Sequence, residues 1–401
     1  MQEEKRFVMV DVSGINQPPI LPTLSQIFLK YNVEIIDLQQ SSLHDTFGLY
    51  FLLDLSSASE SKENVIKDLL FEASQLNLSV NYRLLSPDEL RTDKQDRLYV
   101  LTFFGGTRVL VELSKILKDE NVSIVSISSS THHGARSFEI VINAFGVRSL
   151  DRLKRQIMIK SRELGIDLAL QRMEAYRKNK RLVFFDMDST LLDMEIIDEM
   201  ARRTGVEREV SRITDKAMQG DFDFEESLTQ RIALLKGLNV AELNEIRDGL
   251  PLSEGVEELV TTLKWLGYRL GIVSGGFDFF ANHLKEKLGF DFAYANKLEI
   301  KNGALTGRIT GQIIGAAEKA RIVNQSSCDL GILLDQIVVV GDGANDALML
   351  GQAGLGIAYN AKKRLDHVAG ASLGKSRLIH VFHLLGITEE DITEAMSCKL
   401  A

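Results

Sequence analysis

Strand-like apolar runs and helical patterns follow one another in a fixed order along the first half of the chain. "RFVMVDVSG" from Arg6 runs into Gly14, and the helical pattern "LPTLSQIFLKY" follows it. "NVEIIDLQQSS" from Asn32, "FGLYFLLDL", a further helix and "LSVNYRLL" complete the unit. This order is βαββαβ, which predicts a ferredoxin-like domain with its helices on one face of an antiparallel sheet.

The same order recurs from Arg97. "RLYVLTFFGG" runs into Gly105 and is followed by "LVELSKILKDE", "NVSIVSISSST", "RSFEIVINA", a helix and "IDLALQRM". Two ferredoxin-like domains are therefore predicted, at residues 1–86 and 95–173. Such sheets leave a face or an edge to be covered, so we expect pairing with another copy of the chain as a homodimer. The charged stretch "EAYRKNKR" that follows is interpreted as a solvated helix end or linker.

From Leu182 the pattern changes to buried strands that alternate with helices. The strand candidates are "LVFFD", "YRLGIVSGG", "QIVVVGDGAND" and "GLGIAY". This alternation is typical of a parallel sheet that is covered on both faces, and it predicts a Rossmann-like α/β domain at residues 181–393. Three of the candidates end in polar motifs: Asp186 with Asp188, Ser274-Gly275-Gly276, and Asp342. Sites in such sheets form at the carboxyl ends of strands, so we expect the three motifs to converge.

The composition excludes several classes of partner. The 401 residues are 45% hydrophobic and 26% charged, as in an ordinary globular protein. The formal net charge of −9 argues against nucleic-acid and membrane-surface binding. The acidic start is not expected to be a secretory signal, and no apolar stretch approaches the length of a membrane span. Cys328 and Cys398 lie far apart without metal or redox spacing, which favours the cytoplasm.

Two aspartates one residue apart at the end of a buried strand need a positive partner. Asp186 and Asp342 offer hard oxygen ligands suited to Mg²⁺, and Asp188 completes the predicted metal residues. The metal would attract a phosphate dianion and neutralise charge in its transition state. Asp186 is then aimed at phosphorus and can form an aspartyl-phosphate. Asp188 is predicted to act first as general acid and then as base for the hydrolytic water.

Further polar residues complete the predicted phosphoryl site. Ser274 and the backbone N–H of Gly275 offer hydrogen bonds to phosphoryl oxygens. Lys319, within "GAAEKARIV", supplies a fixed positive charge to the nucleophile and the transferring group. Asn345 and Asp346 are predicted to orient the water shell of the metal or Lys319, and Asn345 also counts among the substrate-binding residues.

The motifs "DMDST", "SGG", the lysine and "GDGAND" resemble those of the haloacid dehalogenase superfamily, from Leu182 to about Gly386. Within it, the chain is most similar to the phosphoserine phosphatase family, through "FDMDSTLLDMEIIDEMA", "DKAMQGDFDFEESLTQRIALLKGL" and "IVSGGF". The resemblance implies Mg²⁺-dependent hydrolysis of O-phospho-L-serine to L-serine and phosphate, the last step of serine biosynthesis. An inactive relative would be expected to lose an aspartate or the lysine, and none is missing.

The helical, charge-rich segment at about residues 193–264 corresponds in this family to a cap that closes over the site. The resemblance places Glu195 against the ammonium group of the substrate and Arg231 against its carboxylate. One anion and one bidentate cation suit the two charges of an amino acid. Met218 and Phe224 match apolar cap positions that line the pocket, and plain core packing is the alternative interpretation of both.

The first half of the chain resembles the ACT domain family of amino-acid-sensing modules, over roughly residues 6–172. The turn from Gly14 to Pro19 lies near the usual ligand-binding loop of that family, and Gly14, Asn16 and Gln17 are the predicted effector residues. The corresponding turn of the second repeat, Gly105-Gly106-Thr107, departs further from the pattern. L-Serine is the expected effector. The alternative is a pair of inert dimerisation modules.

Two other functions share these features. A phosphotransferase that passes the phosphoryl group to another small alcohol, such as homoserine, would use the same aspartyl-phosphate step. An amino-acid-sensing regulatory protein with a relic phosphatase half is the second alternative, and the intact Asp186, Asp188, Lys319 and Asp342 count against it.

Overall fold

The structure is a computed structural model, and it describes residues 6–90, 97–132, 135–219, 222–361, 365, 368–374 and 378–399. The chain divides into two compact units, Met1–Gln95 and Asp96–Ala401. The first contains one predicted ferredoxin-like domain. The second contains the other predicted ferredoxin-like domain together with the α/β half of the chain. The boundaries given above for the individual domains stay predictions.

The first unit is the predicted βαββαβ fold. Its elements are β1 (Phe7–Ile15), α1 (Ile20–Lys30), β2 (Glu34–Leu43), β3 (Thr46–Asp54), α2 (Lys62–Gln75) and β4 (Ser79–Leu85). The sheet has the order β2-β3-β1-β4 and all its strand pairs are antiparallel. Every second residue of β1, from Val8 to Val12, is buried in the core of this unit, which gives the strand one face toward the core.

The second unit opens with a repeat of the same order. These elements are β5 (Leu98–Phe104), α3 (Thr107–Asp119), β6 (Ser123–His132), β7 (Ala135–Asn143), α4 (Leu150–Leu164) and β8 (Leu168–Arg172). Ser149 begins α4 by accepting a hydrogen bond from the backbone N–H of Arg152, and Gly165 ends it in the left-handed conformation that glycine tolerates.

The rest of the second unit alternates strands and helices. Its strands are β9 (Leu182–Phe185), β10 (Arg269–Phe277), β11 (Phe292–Lys301), β12 (Ala304–Thr310), β13 (Ile337–Gly341), β14 (Leu355–Tyr359) and β15 (Ala371–Leu373). Its helices are α5 (Ile196–Thr204), α6 (Glu207–Gln219), α7 (Phe224–Leu234), α8 (Val240–Asp248), α9 (Val256–Trp265), α10 (Asp278–Leu288), α11 (Ala316–Leu330), α12 (Ala347–Gln352), α13 (Val381–Leu385) and α14 (Glu389–Lys399).

One sheet runs through the whole second unit, in the order β12-β11-β10-β9-β13-β14-β15-β8-β5-β7-β6. Strand β9 lies at the centre of its parallel part, between β10 and β13, and all four of its residues are buried. The ferredoxin-like repeat joins this sheet through β8, which pairs antiparallel with β15. The predicted fold class, an α/β domain preceded by two ferredoxin-like domains, is confirmed.

Side chains reinforce the junction between β8 and β15. Asp167 accepts a hydrogen bond from the backbone N–H of Gly374 at 2.6 Å, and its other oxygen lies 2.7 Å from Nδ1 of His380. Gln171 is buried and donates to the carbonyl of Leu384. The ring of His380 stacks on Phe104, with 4.8 Å between the ring centroids. The two parts of this unit therefore share a hydrogen-bonded, packed interface.

The stretch interpreted as a solvated linker differs from that expectation, because two of its cations are buried. Arg177 pairs with Glu139 of β7. Lys180 donates to the carbonyl of Asp335, and burial lowers its pKa to about 8. Charge counts along a sequence do not reveal such pairing, since the partners lie far away along the chain.

Candidate active site

The order of the central strands brings the three polar motifs together. Because β10, β9 and β13 are parallel neighbours, their carboxyl ends meet at one edge of the sheet. Asp186 follows β9 directly, and its backbone N–H donates to the carbonyl of Val340 in β13. The chain then turns sharply through Ser189, which has a φ of 55°. The predicted convergence is thus observed in the fold.

Lys319 is a fully buried cation between two carboxylates. Its Nζ lies 2.8 Å from Oδ2 of Asp186 and 2.7 Å from Oδ1 of Asp346. Burial alone would lower the pKa of Lys319, but the two carboxylates outweigh this effect and raise it. The lysine is therefore charged at physiological pH and holds the side chain of Asp186 in one place.

Three carboxylates form a cluster that could hold a metal ion. One oxygen each of Asp186, Asp342 and Asp346 lies within 4.8 Å of the others. Burial and the neighbouring carboxylates raise the pKa of Asp342 to about 8, and burial and Asp186 raise that of Asp346 to about 7. The raised pKa values of these carboxyl groups indicate that their combined negative charge exceeds the single positive charge of Lys319. A divalent cation bound by oxygen ligands would balance the excess. Asp188, a predicted metal residue, is not in this cluster.

Asp188 faces the same pocket in a different environment. Its side chain is half-buried at the pocket wall, and desolvation, followed by the charge of Glu195, raises its pKa well above the usual range. Its Oδ1 accepts a hydrogen bond from the backbone N–H of Ile196 at 3.0 Å. A carboxyl group with a raised pKa holds its proton to a higher pH than usual, which suits it to proton donation.

Asp186, Asp188 and Asp342 border one pocket of about 740 Å³. The predicted residues that line it are Asp186, Asp188, Glu195, Phe224, Arg231, Ser274, Gly275, Asp342 and Asn345. Lys319 and Asp346 lie behind its wall, fully buried. Met218 belongs to α6, but its side chain is outside the described part of the chain.

The helical segment supplies the opposite wall of the pocket. Glu195 accepts a hydrogen bond from the hydroxyl of Ser189 at 2.7 Å, and burial raises its pKa. The Nε of Arg231 donates to the carbonyl of Ser227 at 3.3 Å. Burial lowers the pKa of Arg231, while the charges of Glu195 and Asp198 act in the opposite direction. An anion and a cation thus face the pocket from the same segment.

Phe224 packs over the floor of the pocket. A Cβ atom added to Gly275 would lie 2.9 Å from its ring, and one added to Gly315 would lie 3.2 Å from it. Both positions therefore favour glycine.

Several residues that line the pocket were not predicted from the sequence, among them Ile197, Thr214, Phe222 and Leu228. The spacing of three residues between Leu228 and Arg231 on α7 was the available signal for Leu228.

The predicted effector loop lies in the first unit. Asn16 and Gln17 are exposed, and the backbone N–H of Asn16 donates to the carbonyl of Asp45 at 2.9 Å. A Cβ atom at Gly14 would lie 2.6 Å from the side chain of Leu78, so glycine permits the close approach of the two segments. The role of this loop stays a prediction.

Comparisons with known proteins agree with this architecture. A profile of haloacid dehalogenase-like hydrolases matches residues 180–354, and an ACT domain profile matches residues 6–83. A phosphoserine phosphatase of Streptomyces coelicolor is 44% identical over 97% of this chain and 94% of its own length. Another, of Archaeoglobus fulgidus, is 42% identical over 76% of this chain and 89% of its own length. A haloacid dehalogenase family hydrolase of Salmonella enterica has a TM-score of 0.63 at 28% identity, over 72% of this chain and 98% of that one.

Fold and site together define a haloacid dehalogenase-like phosphatase with an N-terminal ACT domain. Because the similarity to the Streptomyces relative extends over nearly the whole chain, the chain belongs to the phosphoserine phosphatase family. The predicted enzyme class is confirmed. Among the described residues, no helix is both long and apolar enough to span a membrane.

Proposed function

We propose that the chain hydrolyses O-phospho-L-serine to L-serine and phosphate through an aspartyl-phosphate on Asp186, as the last step of serine biosynthesis. One observation carries this proposal. A single pocket is lined by Asp186 and Asp188 on the sheet side and by Glu195 and Arg231 on the helical side. The first pair suits a phosphate ester, and the second suits an amino acid.

The phosphoryl end would be handled by the strand ends. A carboxylate oxygen of Asp186 attacks phosphorus. The bond between phosphorus and the serine oxygen breaks as Asp188 gives its proton to that oxygen. Asp188, now a carboxylate, takes a proton from a water molecule that attacks the aspartyl-phosphate, and phosphate leaves with Asp186 restored. Lys319 offsets the charge on Asp186, while Ser274 and the N–H of Gly275 bind phosphoryl oxygens.

The metal we propose is Mg²⁺. Asp186 and Asp342 would hold it, and Asp188 is the third residue of the predicted metal site. Asp346 belongs to the same carboxylate cluster and is paired with Lys319. The cluster consists of oxygen donors alone, which is the ligand chemistry that Mg²⁺ prefers. When bound, the metal supplies positive charge for the phosphoryl oxygens in the transition state.

The amino-acid end would be recognised by the helical segment. Arg231 has two guanidinium nitrogens left for the substrate carboxylate, because its Nε is bound to Ser227. Glu195 would accept the ammonium group. Phe224, with Met218 as its predicted companion, would exclude water above the reacting centre, and Asn345 lines the pocket beside Asp342.

The experiment that tests this function is a screen of phosphorylated metabolites with Mg²⁺, scored by released phosphate. We expect phosphoserine to be turned over fastest. Adding alcohols such as homoserine should leave phosphate release unchanged, and a phosphorylated alcohol among the products would indicate phosphotransfer instead. Absence of turnover on every ester would refute the proposal.

We further propose that L-serine binds at Gly14, Asn16 and Gln17 and lowers the activity of a homodimeric, cytoplasmic enzyme. The ACT profile over residues 6–83 and the exposed loop support the effector site, and the free thiols of Cys328 and Cys398 support the compartment. Asn16→Ala in the full chain should weaken serine inhibition. The expected coupling between serine binding and activity is a factor of roughly 5–150, and this variant should lose it. Unchanged inhibition would mean that serine acts only as a competing product.

A further inference from the structure

The turn that would bind the phosphoryl oxygens is a bulge in β10. Val273 pairs with Tyr294 of β11, and the next pair is Phe277 with Asn296. Between these pairs β10 advances by four residues and β11 by two, so Ser274-Gly275-Gly276 is lifted out of the ladder. The peptide group between Gly275 and Gly276 lies inside this irregular stretch, where side chains can supply its hydrogen-bond partners.

Both ends of the peptide group between Gly275 and Gly276 are held by side chains. Nδ2 of Asn296 donates to the carbonyl of Gly275 at 2.8 Å. The N–H of Gly276 donates to Oγ of Ser274 at 2.9 Å. Because that oxygen is the acceptor, the hydroxyl hydrogen of Ser274 is left for a phosphoryl oxygen. Glycine on both sides would otherwise let this peptide group rotate.

The same asparagine also contacts the segment that leads into α11, the helix that carries Lys319. Its Oδ1 accepts a hydrogen bond at 2.7 Å from the N–H of Ile314, two residues before α11 begins. Asn296 is 1% exposed, and both ends of its amide are used. One buried side chain thus ties the phosphoryl-binding turn to the segment that leads to Lys319. The ring of Phe224 also lies over these two segments, at Gly275 and Gly315.

We infer that Asn296 is a positioning residue for phosphoryl transfer. It touches neither the pocket nor the proposed metal cluster, and it acts by fixing the Gly275 peptide against the start of α11. The inference rests on the proposed function, since it assigns these groups to the phosphoryl end of the substrate. That end is common to all phosphate monoesters, so the effect of Asn296 should not depend on the alcohol.

The test compares Asn296→Ala and Asn296→Ser with the wild-type chain and with Asn324→Ala. Asn324 is the matched control, because it lies on α11 and donates to Gln352 at 2.7 Å away from the pocket. Asn296→Ala should lower kcat about 10- to 100-fold on both phosphoserine and p-nitrophenyl phosphate. KM should stay within about threefold, and inhibition by orthovanadate should weaken in parallel with kcat. Asn296→Ser should be intermediate, and Asn324→Ala should match the wild type.

If Asn296→Ala is less stable but keeps a normal kcat on both esters, the inference is overturned. A loss of kcat on phosphoserine alone would also overturn it. Hydrogen exchange at Ile314 in the wild-type chain provides a measurement that does not depend on the variants folding. We expect slow exchange without any ligand, and exchange at the rate of an open loop would refute the pre-formed contact. A wild-type chain without turnover on any ester would refute the proposed function itself.

Discussion

At the scale of single residues, the aspartates of the pocket differ in their surroundings more than in their chemistry. Asp186 faces the buried ammonium of Lys319, whereas Asp188 faces Glu195 and has a raised pKa. The first is therefore paired with a cation, whereas burial and a neighbouring carboxylate favour the protonated form of the second. Such a separation of two similar groups is what assigns nucleophile and general acid.

Asp186→Asn should remove activity almost wholly, because an amide cannot form the acyl phosphate. Asp188→Asn should keep the nucleophile but lower turnover roughly 10²–10⁴-fold, since proton transfer is lost at both steps. Asp248→Asn, at an exposed helix end, is the control. Steady-state rates and trapping of the phospho-enzyme by acid quench measure these effects. Near-normal turnover by Asp186→Asn would contradict the mechanism.

Metal binding should depend on pH, because Asp342 has a pKa of about 8 in the metal-free chain. At pH 7 this acid still holds its proton, and a metal ligand must give its proton up. Apparent Mg²⁺ affinity should therefore rise between about pH 6 and 8, by up to tenfold per pH unit, and level off above. Calorimetric titration in buffers of different ionisation enthalpy would also detect the released proton. An affinity that is constant over this range would contradict the expectation.

At the scale of elements, the helical segment and the sheet have separate tasks. The strand ends carry the groups for the phosphate, and α7 with the start of α5 carries those for the amino acid. Leu192, just before this segment, forms an isolated antiparallel bridge with Leu252, which follows α8. Binding energy gained at the amino-acid end can therefore be used to order the reacting centre.

Arg231→Ala and Glu195→Gln should reduce activity on phosphoserine far more than on p-nitrophenyl phosphate, which lacks an amine and a carboxylate. The expected loss of kcat/KM on phosphoserine is about 10²-fold or more for each, as for other buried charge-assisted contacts. Arg247→Ala is the control, because this half-exposed arginine of α8 lies over Phe279 and is not among the residues that line the pocket. Equal losses on both substrates would show that the two residues serve the phosphoryl end instead.

The sequence predicted the strand ends and their chemistry because both are visible in a short stretch of chain. A run of apolar residues is followed directly by Asp186 in one strand and by Ser274 in another. It did not predict that Asn296 hydrogen-bonds the Ser274-Gly275-Gly276 turn, because a lone asparagine in "AYANKLE" has no local signature. The buried positions of Arg177 and Lys180 were missed for the same reason. Their partners, Glu139 and Asp335, become neighbours only through tertiary packing.

At the scale of the whole molecule, the second ferredoxin-like repeat is part of the catalytic unit. A chain that starts at Lys178 lacks β8 and with it the pairing to β15, the Asp167–His380 contact and the bond from Gln171. We expect it to be less stable by about 2–4 kcal/mol, at roughly 1 kcal/mol for each lost hydrogen bond. A chain that starts at Arg97 keeps all these contacts and should unfold like the second unit of the intact protein.

Thermal unfolding of the two shortened chains measures this difference. For a unit of this size the loss corresponds to a melting temperature lower by about 5–15 °C. Equal melting temperatures would show that β8 contributes nothing to the α/β half. The chain from Arg97 is also the sounder one for asking what the first unit does, because its catalytic unit is complete.

The pairing of β8 with β15 also bears on the order in which the protein is made. Between Arg172 and Ala371 the ribosome must add about 200 residues, which takes roughly 10–40 s at ordinary rates of synthesis. During that interval β8 has one unpaired edge, with backbone groups that any extended segment could bind. The nascent chain therefore passes through a period of exposure to mispairing and to chaperones, and this period ends only when the last strand of the sheet emerges.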